Sequence, residues 1–567
     1  MSRPLPDWLA PLPRAWAQHS GWRVLDVSGD AQALLAVSHA WLAQPQQRPQ
    51  PLHYVLVLPD AQPLLACAPA PWQAQLNGLL PGVQRIVLEG GALQLTLWLG
   101  DSHTLLRKQG MVADTIVLGS DARPWLEPHA LKPLLRHCQR GTEWLAPQNA
   151  DLANLAGLLQ RSGCAIVHAN GHLHARFDPP WPLRKPTAQP TRPGTAVVLG
   201  AGLAGSSAAW SLAQRGWQVT VLGSGAAPAD GASGLPAGLF CPHTSPDDCP
   251  LSRLSRTGLH ALLPRLAQCC TPGQDWELSG VLEHDSLEPR HLAWADGPGW
   301  AWSQTAPATQ CAAAGLPANA PALWHHRAGW LRPAALVAAQ LQHPNIRFIG
   351  HTEITQLQPT DGGWQALDGH HHAVAQADIA VIATGPASAR FLPAHWRLQT
   401  LRGQVTWGRC TADNAAALPP CPVNGSGNLV PRVPDADGPF WVMGSTFERD
   451  VTALPVAPAD QAAAHAHNLG KLAQLLPASA AQLAPAFTPG DPACLPTWGR
   501  VRLASHDRLP IVGPVPNSPG LFTLTALGAR GITLSTLCGE LLAGQLHAEP
   551  LPLDAQLAQH LHTGRMQ

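Results

Sequence analysis

The sequence predicts an α/β protein of two successive domains, each built on a mainly parallel sheet covered by helices. Three observations carry that prediction. At 567 residues the chain is too long for one ordinary core. In both halves, short apolar runs suited to buried strands alternate with stretches at helical spacing. Between the halves lies "DPPWPLRKPTAQPTRPG", residues 178–194, whose prolines exclude a helix and a central strand. The expected organisation is a first domain over 1–180, a Pro-rich linker over 181–194 and a second domain over 195–567.

Taken in order, the first domain opens with the strand "WRVLDV" (22–27), followed by the helical stretch "AQALLAVSHAWLAQ". "LHYVLVL" (52–58), "LQLTLWLGD" (to Asp101) and "ADTIVLG" (113–119) are three more strands, an order that suggests a parallel sheet. The second domain opens with "AVVLGAGLAGSSAAWSLAQRGWQVTVLG", 196–223. "AVVLG" is a buried strand, 202–215 a helix ended by Gly216, and "WQVTVLG" the next strand. Further on, "IRFIGHTEITQLQPTDGGWQAL" (346–367) reads as antiparallel hairpins, "ADIAVIATG" (377–385) as a buried strand, and 460–476 as a helix.

Gly200, Gly202 and Gly205 form G-x-G-x-x-G between a strand and a helix. The first glycine permits the turn, the second lets backbone approach a diphosphate, and the third lets helix pack on strand. Unpaired amides and the positive dipole end of the helix then face the phosphates. The acid that usually meets the ribose is missing: position 223 is Gly, followed by Ser224 and Gly225, with Asp230 farther on. That loss argues against a nicotinamide cofactor held mainly by this unit and suits a flavin dinucleotide gripped along its length.

Composition narrows the function. Lys+Arg and Asp+Glu balance at 36 each, so no basic excess advertises nucleic acid. The 12 cysteines are scattered, as expected of reduced cytoplasmic thiols rather than a disulfide framework. The opening "MSRPLPDWLAPLPRAW" has no long apolar run, so no signal peptide is expected. No apolar run reaches the ~20 residues of a bilayer span, so no membrane partner is expected. "GHHHA" (369–373) and "WHHR" (324–327) lack partners at metal-site spacing and are read as a hairpin tip and a loop; no metal is expected. Nothing in the sequence indicates an oligomeric state.

Four stretches add to the glycine loop: "DGASGLPAGLFCPHTSPDD", "LRGQVTWGR" (401–409), "WGRVRLASHDRLPIVGPVP" (498–516) and "GLFTLTALGARGITLSTLCGELLAGQL" at the C-terminal side. Together they resemble the D-amino-acid-oxidase-like family of FAD-dependent amine oxidases. With "GWLRPAAL" (329–336) they are closer still to a family of bifunctional tRNA-modifying proteins, in which an S-adenosylmethionine-dependent methyltransferase precedes such a flavin domain. The resemblance implies a Rossmann-like methyltransferase-type domain, then an FAD-binding Rossmann-type domain with an inserted antiparallel substrate sheet. In the first domain the pattern has decayed. The glycine-rich turn reads "DVSGDAQAL", the acid closing the second strand is replaced by Leu58-Pro59, and the family's active-site motif reads "GSDARP". S-adenosylmethionine binding is therefore not expected, and Asp101 and Asp121 are taken as solvated loop acids.

The resemblance implies FAD as cofactor and tRNA as substrate. The reaction is oxidative removal of the carboxymethyl group from 5-carboxymethylaminomethyl-(2-thio)uridine at the wobble position, giving the 5-aminomethyl form. An oxidase of a free amine such as glycine or sarcosine is the alternative. Arg530 and Arg502 are the candidate catalytic residues, as forks for the substrate carboxylate, ahead of Arg332 and Arg449. The expected cofactor contacts are Gly200, Gly202, Gly205, Ser233, Gly234, Gly238, Thr384, Gly385, Gly403, Gln404, Gly528, Arg530, Gly531 and Ile532.

Overall fold

The computed structural model describes residues 5–17, 19, 21–48, 51–169, 171–183, 191–284, 292–488 and 498–567. Half of the expected linker, residues 184–190, lies outside them. Packing divides the chain into two compact units, Met1–Arg192 with Gly544–Ala558, and Pro193–Ala543 with Gln559–Gln567.

The first unit holds one eight-stranded sheet. Its strands are β1 (Trp22–Asp26), β2 (Leu52–Leu58), β3 (Gly82–Leu88), β4 (Leu93–Leu99), β5 (Ala113–Val117), β6 (Cys138–Pro147), β7 (Cys164–His168) and β8 (His172–Phe177). They lie in the order β3-β4-β2-β1-β5-β6-β8-β7. Strands β1, β2, β4, β5 and β6 run parallel. Every residue of β2 and β4 is buried, as in strands covered on both faces, His53, Gln94 and Thr96 included. Residues 82–99 depart from the expectation: β3 and β4 form an antiparallel hairpin turned at Gly90 and Gly91. Residues 544–558 pack within this unit. Arg23 donates to the Ala548 carbonyl at 3.2 Å, Gln109 to Asp554 at 2.9 Å, Arg85 to the Pro550 carbonyl, and Glu549 lies 3.6 Å from His53.

The second unit is built on a six-stranded sheet in the order Ile346–Ile349, Gln218–Leu222, Thr195–Leu199, Ile379–Ile382, Leu521–Thr525, Ile511–Pro514. All neighbours are parallel except the last pair. Only the second half of 346–367 makes the expected hairpin; "IRFI" is a short apolar run and joins the parallel edge instead. The helix expected over 460–476 spans Pro458–Leu475. A nine-stranded mixed sheet is inserted in this unit, and its central strands are Val281–His284, Val423–Asn424, Asn428–Val433, Phe440–Gly444, Leu398–Arg409 and Trp498–Ser505. No helix of the described residues is long and apolar enough to cross a membrane.

Candidate active site

A cavity of about 1060 Å³ opens in the second unit, lined by the loops of the parallel sheet and one face of the mixed sheet. The glycine loop forms one end. Gly200 has φ 103°, and a Cβ there would lie 2.3 Å from the Ala383 carbonyl oxygen, so only glycine fits. A Cβ on Gly205 would lie 1.8 Å from the Gly200 carbonyl oxygen; this glycine lets the helix Leu203–Ala213 sit against its strand and does not itself line the cavity. Gly202 begins the helix without a side-chain cap. The Ser233 hydroxyl accepts from the Leu203 amide at 2.9 Å, which leaves its own proton to donate.

The missing acid has a packing cause. A Cβ on Gly223 would lie 2.9 Å from the Phe348 ring, so the neighbouring strand fills the place of a side chain there. Ser224, Thr352 and Glu353 line that end of the cavity. Thr384 and Gly385 follow the strand Ile379–Ile382, and Gly238 meets the Ile532 side chain. Gly528 precedes, and Gly531 and Ile532 open, the helix Gly531–Leu546, and all three line the cavity with Gly403. Two further expected contacts stand elsewhere. Gly234 packs against the Ala229 carbonyl. Gln404 turns its amide away to donate to Glu448 at 2.7 Å, because alternate side chains of a strand face opposite ways and Gly403 has the cavity face.

Both expected arginines line the cavity, and among the described residues neither has a carboxylate partner. Arg502 reaches only the Ser445 hydroxyl at 3.5 Å and the Thr446 carbonyl at 3.4 Å, and its guanidinium lies 4.8 Å from the centre of the Phe447 ring. Burial pushes its pKa down. Arg530 contacts the Arg508 carbonyl at 3.4 Å; burial, then the charge of Arg508, push its pKa down as well. Buried arginines elsewhere in the unit are neutralised, as Arg402 is by Glu448 and Asp460 and Arg215 by Glu540. Arg332 is turned to Asp435, and Arg449 is exposed on the cavity rim.

Three groups at the cavity were not expected from the sequence. Glu283, 4% exposed, lines it and is bonded to His325 Nε2 at 3.1 Å and to the Asn424 amide at 3.2 Å. His325 Nδ1 in turn meets the Ser303 hydroxyl at 2.7 Å. "WHHR" is thus no loop at His325: the residue ends the strand Ala322–His325 and is fully buried. With Cys241, these side chains place three metal-ligand atoms within 4.8 Å of one another, but both nitrogens of His325 are already engaged. Phe447, 54% exposed, stands on the rim between Arg502 and Lys471. "GHHHA" forms the expected hairpin tip before the strand Ala373–Ala377.

In the first unit, the turn after β1 spends its amides on its own side chains. Ser28 N donates to Asp26 at 2.8 Å, Asp30 N to the Ser28 hydroxyl at 3.4 Å, and Gln32 N to Asp30 at 2.7 Å. Asp101 caps the helix Ser102–Lys108, and Asp121 pairs with exposed Arg123.

Comparison with known proteins agrees with this geometry. The family model for FAD-dependent oxidoreductases matches residues 195–545. A protein of Delftia acidovorans named tRNA 5-methylaminomethyl-2-thiouridine biosynthesis bifunctional protein MnmC is 48% identical, over 98% of this chain and 93% of its own. The MnmC of Verminephrobacter eiseniae is 43% identical over 99% of both. Glycine oxidase of Geobacillus kaustophilus shares the fold over 64% of this chain and 97% of its own, with TM-score 0.52 and 20% identity. Amadoriase I of Aspergillus fumigatus, in an Asp295Cys/Lys303Cys mutant form, covers 66% of this chain and 90% of its own, with TM-score 0.51 and 16% identity.

Proposed function

Because the chain belongs to the MnmC family and, over residues 195–545, to the FAD-dependent oxidoreductases, we propose that it oxidises a modified wobble uridine of tRNA. The substrate is the 5-carboxymethylaminomethyl form, and the product is the 5-aminomethyl form. The CH₂–NH group between carboxylate and amine loses a hydride and a proton. Water then adds to the resulting C=N bond, glyoxylate leaves, and the primary amine stays on the base.

The residues present fit FAD: close backbone neighbours demand glycine at Gly200 and Gly205, and Gly202 and Gly531 present two helix starts to the cavity, with the Ser233 hydroxyl beside the first. When bound, the flavin supplies the two-electron acceptor. The protein's own part is to grip and orient. The observation that carries the reading is Arg502, a partly buried cation in the cavity without a carboxylate of its own among the described residues. A substrate carboxylate supplies the missing partner through a two-pronged, charge-assisted contact. Arg530 lines the same cavity as a second cation, and the walls exclude bulk water while hydride departs.

The same fold occurs in glycine oxidase, and the chain's balanced charge suits a small free substrate equally well. Nucleoside mass spectrometry decides. Incubated with tRNA bearing the carboxymethylaminomethyl base, the purified protein converts that base to the aminomethyl form. Turnover of glycine or sarcosine with the tRNA base untouched overturns the assignment. We further propose that the first unit transfers no methyl group, since the amides of Ser28, Asp30 and Gln32 after β1 are already bonded within the turn and β2 is closed by Leu58-Pro59. A methylaminomethyl product formed by this protein and S-adenosylmethionine alone defeats that view.

A further inference from the structure

One wall of the cavity is a single row drawn across six strands. Glu283 pairs with Asn424, Asn424 with Asn428, Asn428 with Gly444, Gly444 with Val405, and Val405 with Trp498. Residues directly opposite in a ladder share a face, and all six line the cavity. One end of the row is polar and the other apolar. Gly444 adds no side chain between them, and Arg502 lies on the last strand of the series.

The polar end is held in one orientation. The Glu283 carboxylate only accepts, so His325 Nε2 carries the proton of their contact; in the neutral ring Nδ1 then accepts from Ser303. Asn424 donates to the same carboxylate. A carboxylate and two amides therefore stand side by side on the wall.

That set is complementary to one side of the pairing edge of uracil, where a donor, N3–H, adjoins the C4 carbonyl acceptor. We propose that Glu283 accepts the N3–H of the substrate uridine, while Asn424 and Asn428, both on its Arg502 side, donate to the C4 carbonyl. The base is then read by its pairing edge, as extruded bases are in enzymes that act on them, and its 5-substituent runs along the row toward Arg502. Cytosine fails on this wall because its N3 has no proton and would face the carboxylate. The inference rests on the tRNA reading above and names the recognition element of that same cavity.

The test is single-turnover flavin reduction by the full-length flavoprotein, mixed without oxygen with an anticodon stem-loop carrying 5-carboxymethylaminomethyluridine, or with the same stem-loop methylated at N3. Methylation is expected to raise the apparent Kd about ten- to a hundredfold, the cost of losing a hydrogen bond to a charged group, with the limiting rate within about twofold. In Glu283→Gln, the amide oxygen stays with His325 and an N–H faces the base. The parent stem-loop then weakens by a similar factor, and the methyl penalty shrinks below about threefold. Asn428→Ala raises Kd about tenfold and leaves the methyl penalty in place. Equal Kd for the two stem-loops, or an undiminished penalty in Glu283→Gln, overturns the inference while tRNA remains the substrate. If neither stem-loop reduces the flavin but glycine or sarcosine does, the tRNA reading falls and the inference with it.

Discussion

Arg502 is held against an aromatic ring in a cavity wall and, among the described residues, is given no anion of its own. Its replacement by Ala is expected to lower kcat/KM on modified tRNA by about 10²–10³-fold, the ~3–4 kcal/mol of a two-pronged charged contact, with the flavin spectrum unchanged. Arg502→Lys restores only part of this, because an ammonium offers no planar fork. A normal kcat/KM in Arg502→Ala would remove the arginine from substrate binding. In the first unit, burial raises the Asp26 carboxyl to about 7, and Tyr54 donates to it at 2.5 Å. The folded state keeps a proton that the unfolded chain releases, so this group's contribution is full below about pH 4 and is lost as pH rises to about 7. The loss amounts to ~4 kcal/mol at most. Asp26→Asn, whose carbonyl oxygen keeps the Ser28 amide while its own N–H turns to the Tyr54 oxygen, should unfold at higher urea than wild type at pH 8 and gain less than half as much at pH 5. An equal difference at both pH values would show that Asp26 does not hold the proton. That Arg502 and Arg530 line the cavity was legible because each sits in a recognisable local motif. Glu283 was not, since its partners His325 and Asn424 lie 42 and 141 positions away and only the sheet brings them together.

At the scale of elements, the sequence reading held where one run determines one structure. The strand Thr195–Leu199, its glycine turn and the helix Leu203–Ala213 were all legible, because steric need fixes glycine at 200 and 205. Gly205→Ala tests that need. The added methyl would overlap the Gly200 carbonyl oxygen, so helix and strand must part and the phosphate cradle opens. The variant is expected to purify with well under half the flavin of wild type, read as the ratio of flavin to protein absorbance. Full flavin content would mean that the cradle does not depend on this approach. Strand direction was less legible. An alternating or continuous apolar run specifies burial, not its neighbour's polarity, so β3 and β4 went unrecognised as a hairpin and "IRFI" as a parallel edge. Strand alternation likewise decided between Gly403 and Gln404, which a list of neighbouring positions could not do.

Across the whole chain, the least legible feature is that the first unit is closed by residues from the far end of the sequence. Pro550 and Pro552 stop helical structure after Leu546, and nothing in "GQLHAEPLPLDAQLA" (544–558) tells where the stretch will pack. The structure puts it with Met1–Arg192. There it buries Leu553 at 1% exposure and Glu549 at 7%, the latter beside His53, and it meets Arg23, Arg85 and Gln109. A chain truncated to residues 1–192 keeps every strand of its sheet but loses these contacts, leaving apolar surface and buried polar side chains to water. It is therefore expected to unfold at lower urea than the same chain extended at its C-terminus by a flexible linker and residues 544–558. A linker of Gly and Ser costs little entropy per added residue, so its length should matter far less than its cargo. The comparison is made by urea titration followed through Trp fluorescence, with a scrambled 544–558 segment as the control. Equal midpoints for the truncated, extended and scrambled chains would show that the first unit is complete at Arg192, and the return of the chain to it would be without energetic consequence.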